Sequence, residues 1–390
     1  MNKLYFLLFT FSLFSYGQNK KTERYNVKQK EIEVVTNKTI ETFMILRSLS
    51  DSDPLFKYRK ADYKAKPLIY AAREYFKNFK NDTAVKNTQE ILAKTSVTGD
   101  LILQGLLYSD ELPKTNLKYG LNSYWKKKEP ELKAYLKVLK HFYDTANVED
   151  FLKKYRDFYQ GAIIEATSHL DKNLIPVMET YFGQSNPHYN LIIIPISPFG
   201  MGFGANVGAG KSKILYQIIS PASDIHWSEN LTDYKEFGYS GKGSDDYYRD
   251  LVAHEFCHSF ITPIIKQKKY QERINQTDSL YVPELDSIME KQSYGSWWGF
   301  VNEHMVRVAS IRISKKLDIK DLEEMRKDNV VDKGFILIPD AEKLLGEYEN
   351  NREKYPIFEK FLPKLINKFK NYTRKDIEEK IRFRKELKFE

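Results

Sequence analysis

His254, Glu255 and His258 stand in the order H-E-x-x-H within Leu251-Val252-Ala253-His254-Glu255-Phe256-Cys257-His258-Ser259-Phe260. Residues four apart on a helix share a face, so both imidazoles can reach one ion. Zinc accepts such nitrogens at about 2.0–2.1 Å in a tetrahedral set. Glu255 follows the first imidazole directly. Its carboxylate leans to the side of the metal, where it can take a proton from a water that the metal has acidified. Only seven histidines occur in 390 residues, so this spacing is a specific signal. The flanking Leu251, Val252, Ala253, Phe256 and Phe260 predict a buried helix, and a buried helix with two satisfied core histidines is the competing reading.

A catalytic zinc needs a third protein ligand and an open fourth position. The metzincin extension requires glycine at position 261 and histidine at 264, but Ile261 and Ile264 stand there, which excludes it. The segment Trp298-Gly299-Phe300-Val301-Asn302-Glu303-His304-Met305-Val306-Arg307 offers a carboxylate instead. Burying Glu303 among Trp, Phe, Val and Met without a partner is costly. A metal is one such partner; Arg307, one helical turn on, is the other. Glu303 is the expected ligand, with Glu284, Asp286, Glu290 and His304 as competing donors. Asp250, one turn before His254, can orient that ring, or can simply face the helix dipole. His226, Tyr294 and His304 are the candidate donors to a developing oxyanion. Cys257, the single cysteine, reads as a small packing residue.

These residues need a scaffold. From Glu31 to about Gln184 the apolar spacing is mostly helical, with Val148–Leu170 the longest stretch. Near Ser185 the pattern changes. Tyr189–Ser197 and Lys211–Ser220 read as strands, and Pro195 suggests an edge or a bulge. A glycine-rich loop joins them in an antiparallel or otherwise non-P-loop connection. Lys213–Ser220 is the expected open edge for an extended substrate. Asp245–Thr262 is a helix capped by Ser244 or Asp245 and stopped by Pro263. Helical patterns fill the remainder. The expected fold class is α+β, predominantly helical: a signal peptide over 1–17, a helical region over 18–184, a core with a small sheet and the active-site helix over 185–315, and a helical region over 316–390.

Composition narrows the function. Ala205-Asn206-Val207-Gly208-Ala209-Gly210-Lys211-Ser212 has a loose phosphate-loop form. A true phosphate loop follows a strand and opens a helix. Here ILYQIIS follows, which is strand-like, so no nucleotide is expected. The net charge is +9, and the last forty residues hold thirteen Lys/Arg against seven Asp/Glu. Acids alternate with these bases and no recognition motif accompanies them, so the pattern reads as a solvated face and no nucleic acid is expected. At the N-terminus, Lys3, the apolar Leu4–Phe14 and Ser15-Tyr16-Gly17 form a secretory signal with cleavage before Gln18. That run is too short to span a bilayer, and no lipoprotein cysteine follows it. A secreted or periplasmic protein with no membrane span after cleavage is expected.

HEFCH followed by a helical Asn302-Glu303 resembles the gluzincin branch of zinc peptidases, typified by thermolysin. The whole layout is more closely similar to a family of exported bacterial proteins known only as a domain of unknown function. The resemblance implies a zincin-like fold, one zinc ion and hydrolysis of a peptide or protein substrate. A non-catalytic zinc-binding or scaffold protein, or a metal-dependent hydrolase of a non-peptide bond, is the alternative.

Overall fold

The structure is a computed structural model that describes residues 26–29, 32–57, 66–95, 99–198, 202–222, 225, 234–240, 245–292, 294–319 and 322–387. The expected signal over 1–17, and the candidates His226 and Ser244, lie outside them.

The chain is predominantly helical and carries one mixed five-stranded sheet, an α+β arrangement. The strands are β1 (Asn26–Gln29), β2 (Ile32–Val35), β3 (His188–Ile193), β4 (Gly202–Val207) and β5 (Ile214–Ile219), in the spatial order β1-β2-β3-β5-β4. Strands β2, β3 and β5 run parallel; β1 and β4 run antiparallel to their neighbours.

Several expectations change here. Two strands precede the helical region, and the second of them, β2, pairs with β3 across about 150 residues of chain. Part of the glycine-rich segment is itself a strand, β4. It lies outside β5, so β3 and β5 are parallel, and Lys213–Ser220 is not an edge. The edge beside β5 is β4. Strand β3 is central as well. Pro195 follows Ile194, whose N–H still donates to Ile219 O at 3.0 Å. The missing proline donor thus falls just past the ladder. Val148–Leu170 divides into two helices, Val148–Lys154 and Arg156–Ser168, and Asp245–Thr262 continues to Ile265.

The reason for continuous apolar runs in β3 and β5 is burial on both faces. The face made by Tyr189, Leu191, Ile193, Leu215, Gln217 and Ile219 continues into Gly202, Gly204 and Asn206 of β4. Helix Asp245–Ile265, the histidine helix, packs on this face: Phe256 meets the Tyr189 ring at 5.8 Å, and Gln217 Nε2 donates to Ser259 Oγ at 2.9 Å. Helix Trp297–Lys316, the glutamate helix, packs along the histidine helix and is buried on nearly every side. The resulting apolar core runs from Ile32 to Ile381 without a break.

The N-terminal helices hold the approach to the histidine helix. Glu165, in helix Arg156–Ser168, accepts from the backbone N–H groups of Phe237, Tyr239 and Ser240. Beneath them Glu41, 1% exposed, accepts from Tyr159 Oη at 2.7 Å, while its Oε1 has no hydrogen-bond partner among the described residues. Burial pushes this carboxyl up to about 8 from an ordinary 4.5, and the Tyr159 hydrogen bond only partly opposes that. Its folded value is raised, so the stability it contributes is complete below pH 4.5 and is lost as pH climbs through 8. The folding equilibrium weakens by up to about tenfold per pH unit across that window. Glu41→Gln should therefore raise the melting temperature progressively more from pH 5 to pH 8. A shift independent of pH would show that Glu41 does not hold this proton.

Candidate metal centre

The histidine helix contains a proline, and its neighbour absorbs the consequence. Pro263 has no N–H, so the carbonyl of Ser259, four residues earlier, loses its helical donor. Asn206 of β4 supplies one, with Nδ2 donating to Ser259 O at 3.3 Å. The helix thus continues past Pro263 to Ile265 while staying bound to the edge strand.

His254 and His258 lie one turn apart on this helix, ring centroids 5.0 Å from each other. The glutamate helix brings Glu303 between them: Oε1 is 3.3 Å from His254 Nε2, and Oε2 is 3.3 Å from His258 Nε2. All three donors fall within 4.8 Å of one another, a group that could hold a metal ion. Glu303 is 1% exposed, whereas the imidazoles are 15% and 21% exposed, so the open side of the group is the imidazole side.

Two of the three protonation shifts suit a cation. Burial pushes His254 down to about 4, against the pull of Glu303. Burial alone would raise Glu303, but the Arg307 guanidinium and His254 outweigh it and hold the carboxylate well below its usual range. His258 is raised, because Glu303 overcomes the burial that acts on the ring. The shifts at His254 and Glu303 favour the neutral imidazole and ionised carboxylate that a divalent ion needs, whereas at His258 an ion has to displace the proton that Glu303 favours.

The orientation of His258 is set from behind. Thr262 Oγ1 donates to Asn302 Oδ1 at 3.0 Å, which uses its one hydrogen. Its oxygen then accepts from His258 Nδ1 at 3.2 Å. In the neutral ring this leaves the Nε2 lone pair directed at Glu303 Oε2, so two acceptors face each other unless a proton or a metal ion stands between them. Glu303 Oε1, moreover, is buried without an aligned hydrogen-bond donor. A buried carboxylate oxygen with no aligned hydrogen bond, 2.7 Å from the Arg307 guanidinium and beside two imidazole nitrogens, fits a bound metal. Thr262→Val keeps the shape and breaks this relay. It should weaken zinc binding by about tenfold to a hundredfold, as loss of such outer partners does. Competition with a chromophoric chelator measures it, and unchanged affinity would remove Thr262 from the site.

Glu255 lies beside the group and is 5% exposed. Burial pushes its carboxyl up to about 7. Strand β4 covers it. A Cβ on Gly202 would come within 2.7 Å of Glu255 Oε1, and one on Gly204 within 3.1 Å of the Glu255 carbonyl oxygen. Only glycine lets the edge strand approach this closely.

A family model described as Domain of unknown function (DUF4932) matches residues 30–368, most of the chain and all of this group. The chain belongs to the DUF4932 family. No curated protein and no solved structure matches it.

Other candidates in this DUF4932 chain take different places. Arg307 Nη2 is 2.7 Å from Glu303 Oε1, so of the two partners expected for that carboxylate Arg307 is in place, beside the donor group that could hold a metal. The Tyr294 phenol lies beside Glu303 and Arg307 and is raised by burial. Its backbone is held by Tyr281 Oη, which donates to Tyr294 O at 2.7 Å. Asp250 accepts from Ser314 Oγ at 2.9 Å, linking the two site helices. His304 is corrected as an oxyanion donor. It is fully buried among the rings of Phe300, Phe335 and Phe369, outside the donor group, and burial pushes it down to about 3. Its position one residue after Glu303 turns it onto another helix face. Glu284, Asp286 and Glu290 also lie outside the group. Cys257 is buried. The Gly210–Ser212 segment is a 3-10 turn feeding β5, not a helix N-terminus.

Sequence reasoning misses Thr262, and it names Asn302 only as the neighbour of Glu303, without this role. A hydroxyl one turn after the second histidine was the available signal. The tight glycines of β4 carried no signal without the helix they touch.

Proposed function

We propose that this DUF4932 chain is a zinc-dependent hydrolase of peptide bonds with a zincin-like arrangement. The observation that carries the reading is the convergence of His254 Nε2, His258 Nε2 and the buried Glu303 carboxylate, with Glu255 next to them on the same helix. Two imidazoles and one carboxylate form a donor set suited to zinc and leave a coordination position open. When bound, the ion supplies Lewis acidity that activates water and polarises a carbonyl. Glu255 takes the proton of the attacking water and returns it to the departing amine nitrogen. In this reading the Tyr294 phenol, next to Glu303, donates to the carbonyl oxygen as negative charge develops there; its nearness to Glu303 and Arg307 supports that role. The outer edge of β4 offers backbone groups to an extended peptide beside Glu255.

Elemental analysis of the purified protein, paired with cleavage of a mixed peptide library, tests this. One zinc per chain and chelator-sensitive cleavage are expected. Zinc without turnover would leave a metal-binding protein of another function; no metal would end the reading. We propose further that the N-terminal segment directs export, and an exported product lacking residues 1–17 by mass tests that separately.

A further inference from the structure

We infer that Arg307 is a positioning residue that keeps the Glu303 carboxylate in register with the two imidazoles, and that the C-terminal helical layer in turn fixes Arg307. The inference rests on the metal reading above. Arg307 Nη2 approaches Glu303 Oε1 to 2.7 Å, yet that oxygen has no aligned N–H. The guanidinium therefore supplies charge there, and other contacts decide where it sits. Nη1 donates to Asn329 Oδ1 at 2.6 Å, and the guanidinium carbon stands 4.5 Å from the centre of the Phe335 ring.

Those two contacts belong to one unit. Asn329 lies in a π-helical turn, Asp328–Asp332, that directly follows helix Leu322–Lys327. Its Nδ2 donates to Met325 O at 2.7 Å, and its carbonyl accepts from Phe335 N–H at 2.9 Å. The amide that grips the guanidinium and the ring beneath it are thus tied to each other. Such turns widen the helix and re-aim a side chain. Here one turns Asn329 toward the glutamate helix.

Two effects of Arg307 on a bound ion oppose each other. Its positive charge repels a divalent cation. Its position keeps Glu303 aimed at the imidazoles. Positioning should dominate, because Arg307 carries the permanent charge nearest to a carboxylate 1% exposed, at 2.7 Å against 3.3 Å for each imidazole. Without the guanidinium, the side chain gains by turning away toward water.

The experiment measures zinc affinity by competition with a chromophoric chelator, and the visible spectrum of the cobalt-loaded protein, in the full-length chain. Arg307→Gln should weaken zinc binding by about tenfold to a hundredfold and alter the cobalt spectrum. Arg307→Lys should recover part of the affinity. Asn329→Ala, which leaves the charge in place but frees its anchor, should lose about tenfold. This second variant decides the matter if Arg307→Gln does not fold. Wild-type affinity in Asn329→Ala together with Arg307→Gln, or tighter binding in Arg307→Gln, would overturn the inference while leaving the metal reading intact. A wild-type protein that takes no zinc would overturn both.

Discussion

Glu255→Gln should retain zinc and lose peptide cleavage by about 10²–10⁴-fold, the usual contribution of a positioned general base. The amide matches the carboxylate in shape, so the fit against Gly202 is preserved. It also removes a group whose charge is costly to bury: the folded value near 7 exceeds the ordinary 4.5, so this carboxyl's stabilising contribution fades as pH rises through 7. The variant should therefore fold at least as well at pH 8 as the parent. Activity and zinc content, measured on the same preparation, separate the outcomes. Cleavage at the parent rate with zinc in place would remove Glu255 from the chemistry. Loss of zinc would show that the carboxylate helps hold the ion instead.

Glu303→Ala should lower zinc affinity by more than a hundredfold, beyond what loss of an outer partner produces. The substitution has a second consequence. Arg307, with its side chain 14% exposed, would lose the carboxylate it faces. Breaking a buried pair by removing one member costs about 3–5 kcal/mol. Some destabilisation is thus expected whether or not Glu303 binds metal. The double variant Glu303→Ala/Arg307→Met removes the stranded charge and isolates the ligand effect. Zinc affinity near the parent value in the folded double variant would move the third ligand to another residue.

Much of the local geometry of the candidate metal group was legible in the residue order. Helical periodicity alone puts His254 and His258 on one face, because a turn of 3.6 residues is a property of the backbone. The apolar flanks of both helices announced their burial, and a glutamate in such surroundings had to have a partner. What failed was mostly long-range. Strands β1 and β2 are four residues each, and β2 joins the sheet through β3, far along the chain. So short a run carries little periodicity, and pairing at that distance leaves no local trace. The same limit hid the true edge. Glycines at 202 and 204 read as a loop because glycine disfavours strands, yet their missing side chains are what let β4 lie against the histidine helix.

Pro263 shows the division at a single residue. Taken locally, proline ends a helix. In the folded chain Asn206 supplies the donor that proline removes, so the helix continues. The sequence by itself determined the pair of imidazoles, the adjacent carboxylate and the helices that carry them, since each depends on neighbours within a few residues. The tertiary structure alone decided that Glu303 enters between those rings, that Thr262 and Asn302 orient one of them, and that Arg307 stands behind the carboxylate. Those contacts join segments tens of residues apart, and only packing of the shared core brings them within hydrogen-bonding distance.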